Sequence, residues 1–152
     1  MVIKLTKHIV LAGVAGLLLT GCTYQQPPVD LTAPAHFTLT MIDGTHRRSA
    51  IDVPIPESSN ILADTQSLIS SVGPWSLKPD ETATLNEIII KGPMYDVNVM
   101  SDDLVIRFHN DPNQVGAVST PITRQQYDQI RSDALVTIQP NQWKKITYGP
   151  NP

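Results

Sequence analysis

Ile88-Ile89-Ile90-Lys91-Gly92-Pro93-Met94-Tyr95-Asp96-Val97-Asn98-Val99-Met100-Ser101-Asp102-Asp103-Leu104-Val105-Ile106-Arg107-Phe108-His109 decides the fold class of this 152-residue chain. Ile88 to Ile90 is a buried β-branched run, and Gly92-Pro93 breaks it. Tyr95, Val97 and Val99 then alternate with Asp96, Asn98 and Met100, the period of two that a half-buried strand requires. Ser101-Asp102-Asp103 reads as a turn. Beyond it, Leu104, Ile106 and Phe108 alternate with Val105, Arg107 and His109. The pattern predicts a β-hairpin inside a three-stranded antiparallel meander.

Upstream, Phe37, Leu39 and Met41 alternate with His36, Thr38 and Thr40, which predicts another strand. Asp43-Gly44 supplies a tight turn, since both positions tolerate positive φ. The return strand, Thr45 to Val53, is expected to carry Ile51, Val53 and Ile55 on one face and to stop at Pro54 and Pro56, which lack a backbone donor. Ser58 or Ser59 can cap a helix bearing Ile61, Leu62, Leu68, Ile69 and Val72 at helical spacing, closed by Gly73-Pro74. Trp75 and Leu77 open a short extended piece that ends at the turn cluster Lys78-Pro79-Asp80-Glu81.

Downstream, residues 110–120 read as an irregular connection. Thr123-Arg124-Gln125-Gln126 has the Thr-x-x-Gln form of a capping box, with Ile122 and Tyr127 placed for the hydrophobic staple. This predicts a helix to about Asp133, then strands at Leu135–Ile138 and Trp143–Tyr148. The expected domain is α+β: a mainly antiparallel sheet of about six strands with two short helices, over residues 36–148. Residues 149–152 form a tail.

The N-terminus has a different composition. Lys4 and Lys7 precede an uninterrupted apolar and glycine run of 11 residues, Ile9 to Leu19, followed by Thr20-Gly21-Cys22. A helix of that length falls short of the roughly 20 residues needed to cross a bilayer. A basic start, a short apolar middle and a small-residue exit describe a cleaved export signal. Its removal takes two lysines of the 11 basic residues and none of the 14 acids, leaving 131 residues with a formal charge of −5. That balance disfavours nucleic acid, which rewards clustered cations. Residues 22–35, with Pro27, Pro28, Pro34 and two glutamines, are expected to form an extended tether.

Candidate chemistry is sparse. His36, His46 and His109 lack the convergent partners of a metal site, with Asp43 near His46 as the best pair. Asp80-Glu81 and Asp102-Asp103 lie in turns, where acids bond local backbone donors. No nucleophile elbow or phosphate-binding glycine loop is present. Arg47-Arg48 and Lys144-Lys145, the only basic pairs, are read as solvated faces. No catalytic residue, metal site or diffusible cofactor is expected, and the chain is not read as an enzyme. Candidate partner-binding side chains are Tyr24, Val29 and Leu31 on the tether, with Trp75 and Trp143 as interface anchors.

With Cys22 directly after Leu19-Thr20-Gly21, the segment resembles a bacterial lipoprotein signal with its lipobox. The resemblance implies cleavage before Cys22, a diacylglycerol on its sulfur and an acyl chain on its amine. Thr23, in place of Asp, implies sorting to the periplasmic face of the outer membrane. The lipobox, the tether and the small α+β domain together are similar to the small lipoprotein subunits of type IV secretion outer-membrane core complexes. More loosely, they are similar to the Cag pathogenicity-island lipoprotein family. That implies a structural role in a secretion or conjugation complex, among other subunits of a homo- or hetero-oligomeric ring. The alternative is a free-standing periplasmic lipoprotein that binds a ligand or assists assembly of another outer-membrane protein.

Overall fold

The computed structural model describes residues 26–33, 35–78, 87–109 and 116–147. Eight strands form one antiparallel sheet: β1 (Thr38–Asp43), β2 (Arg48–Pro54), β3 (Ser76–Lys78), β4 (Ile88–Lys91), β5 (Tyr95–Val99), β6 (Asp103–Phe108), β7 (Ala117–Pro121) and β8 (Lys144–Lys145). Their spatial order is β3-β7-β6-β5-β4-β1-β2-β8. Two helices, α1 (Ile61–Ser71) and α2 (Arg124–Thr137), pack on each other and share a core with the sheet. The domain is therefore α+β, with two strands more than the sequence pattern suggested. Among the described residues, no helix is long and apolar enough to cross a membrane.

The β4–β5–β6 meander follows its sequence pattern. Ile88 pairs with Val99, which pairs with Leu104; Ile90 pairs with Val97, which pairs with Ile106. Continued through β1 and β7, this register builds two apolar rows, Leu39-Ile90-Val97-Ile106-Val118 and Met41-Ile88-Val99-Leu104. Period-two alternation puts each row on one face, and every member is buried in the same cluster as Ile61, Leu68, Ile69, Tyr127, Ile130 and Ala134 of the helices. The opposite face carries Thr40, Ile89, Asn98, Val105 and Ser119, with Glu87 accepting a buried 2.8 Å hydrogen bond from Asn98. Gly92 follows β4 where the Phe37 ring crosses the backbone. A Cβ there would lie 2.6 Å from Phe37 Cε1, a contact that only glycine avoids.

Several expectations need correction. Residues 117–121 form β7, pairing with both β6 and β3, so the presumed irregular connection contains a strand. Leu135–Thr137 belongs to α2, with Ile138 as its C-cap. Tyr127, Ile130, Ala134 and Ile138 make one buried stripe at helical spacing. That stripe prevails over the weak β preference of a short branched run. The final strand shrinks to Lys144–Lys145, and Tyr148 lies outside the described residues. The turn expected at Lys78–Glu81 also falls outside them beyond Lys78, as does the tail.

Helix α1 starts after Asn60, whose side chain makes no cap bond; Ser59 Oγ accepts instead from the Ile61 N–H at 3.4 Å. Ile51 does not share a face with Val53. Leu39 faces Val53 and Met41 faces Ala50, so β2 carries one residue more than β1 in that interval. This β-bulge places Asp52 at φ 52° and turns Ile51 outward, 57% exposed. Helix α2 begins as its capping box predicts. Thr123 Oγ1 accepts from Gln126 N at 3.2 Å, and Gln126 Oε1 accepts from Thr123 N at 2.8 Å.

Where the two helices meet, Asp133 faces Asp64 and one Asp133 oxygen is buried without a hydrogen-bond partner. Burial first, then the neighbouring Asp64 carboxyl, raises the Asp133 pKa, while Gln129 opposes them weakly. A carboxyl with a raised folded-state pKa is more favourable when protonated, so stability falls as pH rises from about 4 through the folded-state value. Asp133→Asn should therefore raise the urea midpoint at pH 7 and leave it nearly unchanged at pH 3. A lower midpoint at pH 7 would show the ionised carboxylate to be stabilising.

Candidate functional site: the docked N-terminal strap

The segment before β1 is a strap laid onto the domain. Pro27, Val29 and Leu31 are buried while Gln26, Pro28, Asp30 and Thr32 are exposed, an alternation with the period of an extended strand. Val29 and Leu31 join the main core, with Leu31 at 1% exposure. Two side chains satisfy the strap's backbone. From α1, Gln66 Oε1 accepts from Leu31 N at 2.8 Å and Gln66 Nε2 donates to Val29 O at 3.2 Å. The amide thus presents a donor and an acceptor side by side, as a neighbouring strand would. From β5, the Tyr95 hydroxyl donates to Asp30 O at 2.8 Å and accepts from Asp30 N at 3.0 Å. Four consecutive backbone groups thereby find partners without a ninth strand.

The electrostatics suit a permanent attachment. Burial, with the Asp30 charge adding to it, raises the Tyr95 pKa above its usual value near 10 against the pull of its bond to the Asp30 backbone. The phenol keeps its proton and remains a donor. Asp30 is fully exposed, and its carboxylate is favoured by the Thr32 hydroxyl at 2.6 Å and the Thr32 N–H at 2.9 Å, which hold it below the usual carboxylate range. This Asx-type turn redirects the chain toward β1.

Truncating Leu31 to alanine removes a fully enclosed side chain and is expected to destabilise the domain by about 2–5 kcal/mol. Gln66→Ala, which strips partners from partly buried backbone groups, should cost about 1–3 kcal/mol. Chemical denaturation of both variants checks the pair; wild-type midpoints would mean the strap is not docked.

These contacts correct the expectation for Val29 and Leu31. They were expected to await partner subunits on an extended tether, but the domain's own core takes them. Cys22 and Tyr24 lie outside the described residues. Trp75, expected as an interface anchor, is 3% exposed and belongs to the core. Trp143 is half-buried and lies under Arg48, whose guanidinium carbon is 4.1 Å from the ring centroid. Trp75 adjoins β3 and Trp143 adjoins β8, the two opposite edges of the sheet. At roughly 4.8 Å per strand they stand on the order of 30 Å apart, too far to serve one small patch. The sequence placed Tyr95 on a strand without marking it as a strap partner and gave no sign of Gln66, although the apolar alternation Val29-Asp30-Leu31 was there to point to docking.

The best histidine–carboxylate pair has a structural role. Asp43, 1% exposed, accepts from His46 Nδ1 at 2.8 Å, His46 N at 3.3 Å and Arg48 Nε at 3.1 Å. Burial would push this carboxyl up, but the His46 ring, Arg48 and the His46 backbone together hold it below its usual value. Its contribution to stability is present above about pH 4 and is lost as pH falls through the folded-state value. His109 lies 3.2 Å from Asp96, and His36 is exposed. Among the described residues, no three His, Cys, Asp or Glu side chains converge as metal ligands would. A cleft of about 300 Å³ between the helices and one of about 360 Å³ between the loop before α1 and the end of α2 are lined mainly by Ser, Asn, Gln and Asp. Comparison with protein-family models, with curated proteins and with solved structures finds no match for this chain.

Proposed function

We propose that this chain is a lipid-anchored, non-enzymatic subunit of an envelope-spanning secretion or conjugation complex, fixed to the periplasmic face of the outer membrane through acyl chains on Cys22. The observation that carries the reading is the strap. Pro27, Val29 and Leu31 are bound to the domain, so only the five residue steps from Cys22 to Pro27 are left as spacer. Five steps span at most about 18 Å. An anchor this short holds a domain at a set height above a bilayer, which suits a component built into an assembly. Three acyl chains would make the attachment essentially permanent, because each buried methylene adds about 0.8 kcal/mol.

Gentle detergent extraction, size-exclusion chromatography and identification of co-purifying proteins test this function. The expected result is co-elution with other envelope-complex subunits, lost in a Cys22→Ser strain. Exchanging residues 27–31 for Gly and Ser is unsuitable as a probe, since it opens the core. Inserting Gly-Ser pairs between Cys22 and Pro27 lengthens the spacer alone and should impair assembly while leaving acylation and stability intact. Elution of the wild type as a monomer would favour the free-standing lipoprotein, whose partner is a ligand or a client membrane protein.

A further inference from the structure

We propose that the corner formed by the β1–β2 turn and β8 docks an acidic segment of a partner protein. The sheet brings together two basic pairs that are nearly a hundred residues apart in sequence. Arg48 pairs with Lys145 and Ser49 with Lys144, and the Ile146 N–H donates to Arg47 O at 2.8 Å. Arg47, Arg48, Lys144 and Lys145 are four of the nine Lys and Arg residues that follow Cys22, gathered at one corner of a chain whose charge after the signal is −5. Elsewhere three cations have an acid beside them: Lys78 binds Asp103, Lys91 lies 2.8 Å from Asp52, and Arg124 lies 3.2 Å from Asp128. At the corner, the described acid within reach is Asp43, and His46 and Arg48 already occupy it. Arg47, Lys144 and Lys145 are exposed and make no ion pair among the described residues.

The occupant follows from geometry. β8 is an edge strand of two residues whose side chains point to opposite faces. An extended segment laid along it would set alternate carboxylates against Lys144 on one face and Lys145 on the other, the edge-addition mode of peptide recognition. A second copy is disfavoured, because edge-to-edge pairing would set lysine against lysine. A membrane surface is disfavoured by position, in a step that rests on the anchored reading. The strap enters beside Tyr95 and Phe37, at the end of the strands opposite Asp43 and Arg48. About six residues of β1 separate the two ends, on the order of 20 Å, so with the anchor on the Tyr95 side the corner would lie at the far end of the strands from it.

The test uses the full lipidated protein in detergent and a fluorescein-labelled decaglutamate peptide followed by anisotropy. Binding is expected to weaken at least tenfold in Lys144→Glu/Lys145→Glu, to weaken by a smaller factor in Lys144→Gln/Lys145→Gln, and to be unchanged in Arg131→Glu. Thermal midpoints of each variant separate lost binding from lost folding. In cells, a photo-crosslinking amino acid at Thr147 should capture a partner peptide rich in Asp and Glu, and Lys144→Glu/Lys145→Glu should abolish the adduct. Equal loss of peptide binding in Arg131→Glu would overturn the proposal, as would an adduct with lipid or with a second copy of the chain. Acylation of Cys22, measured separately by mass spectrometry, tells failure of the anchor from failure of the corner.

Discussion

On the proposed lipid anchoring, changing Cys22 to serine is expected to abolish acylation completely, because serine lacks the thiolate that would take the diacylglycerol and the precursor would then escape the lipoprotein peptidase. Labelling with a palmitate analogue should fall to background, and the protein should leave the outer-membrane fraction. The effect is all-or-none because the cysteine is the only one in the chain. With five steps between Cys22 and the docked Pro27, the same substitution would, under the proposed anchoring, also release the domain from its set height. Equal labelling of wild type and Cys22→Ser would falsify the lipoprotein reading and, with it, the proposed placement at the membrane.

The second large effect is expected at Tyr127. Its ring is 2% exposed at the first turn of α2, packed in the same cluster as Ile122, Ile130 and the apolar rows of the sheet. Tyr127→Ala should cost about 3–5 kcal/mol, the range for deleting a buried aromatic side chain. Thr123→Ala, four residues earlier, removes only the side chain that accepts from Gln126 N and should cost about 0.5–2 kcal/mol. Urea denaturation of the two variants should rank them in that order. A reversed ranking would mean that the cap, and not the packed ring, fixes α2.

What the sequence disclosed follows from how locally each signal was encoded. The β4–β5–β6 meander was legible because a β-branched run is followed by alternation through two strands, and the breaks carry glycine, proline and paired aspartates. The start of α2 was legible because a capping box is complete within four residues. Its end was not. Leu135-Val136-Thr137-Ile138 looks like a strand locally, yet Val136 lies 85% exposed on the helix surface while Ala134 and Ile138 extend the buried stripe. β7 was missed because five residues ending in proline carry little signal, and its pairing with β3 and β6 is a tertiary fact. The strap was hidden by composition. Prolines and glutamines suggested a spacer, whereas the partners that hold it, Gln66 and Tyr95, lie 35 to 65 residues away. The basic corner was hidden similarly, since two unremarkable dipeptides acquire meaning only when β2 and β8 lie side by side.

The bulge at Asp52 bears on behaviour in a crowded two-dimensional layer. Among the described residues β8 pairs with β2 at Arg48 and Ser49, which leaves Ala50 to Pro54 as a stretch of sheet margin beyond that pairing, carrying the outward-turned Ile51. Molecules confined to a bilayer plane meet their neighbours far more often than molecules free in solution, and a straight apolar margin would invite them to zip together. The left-handed backbone at Asp52 bends that margin, and Pro54 withholds a donor at its end. The irregularity that misplaced Ile51 in the sequence pattern thus works against strand addition at this margin, and under the proposed anchoring it would guard a membrane-held population against lateral fibre growth.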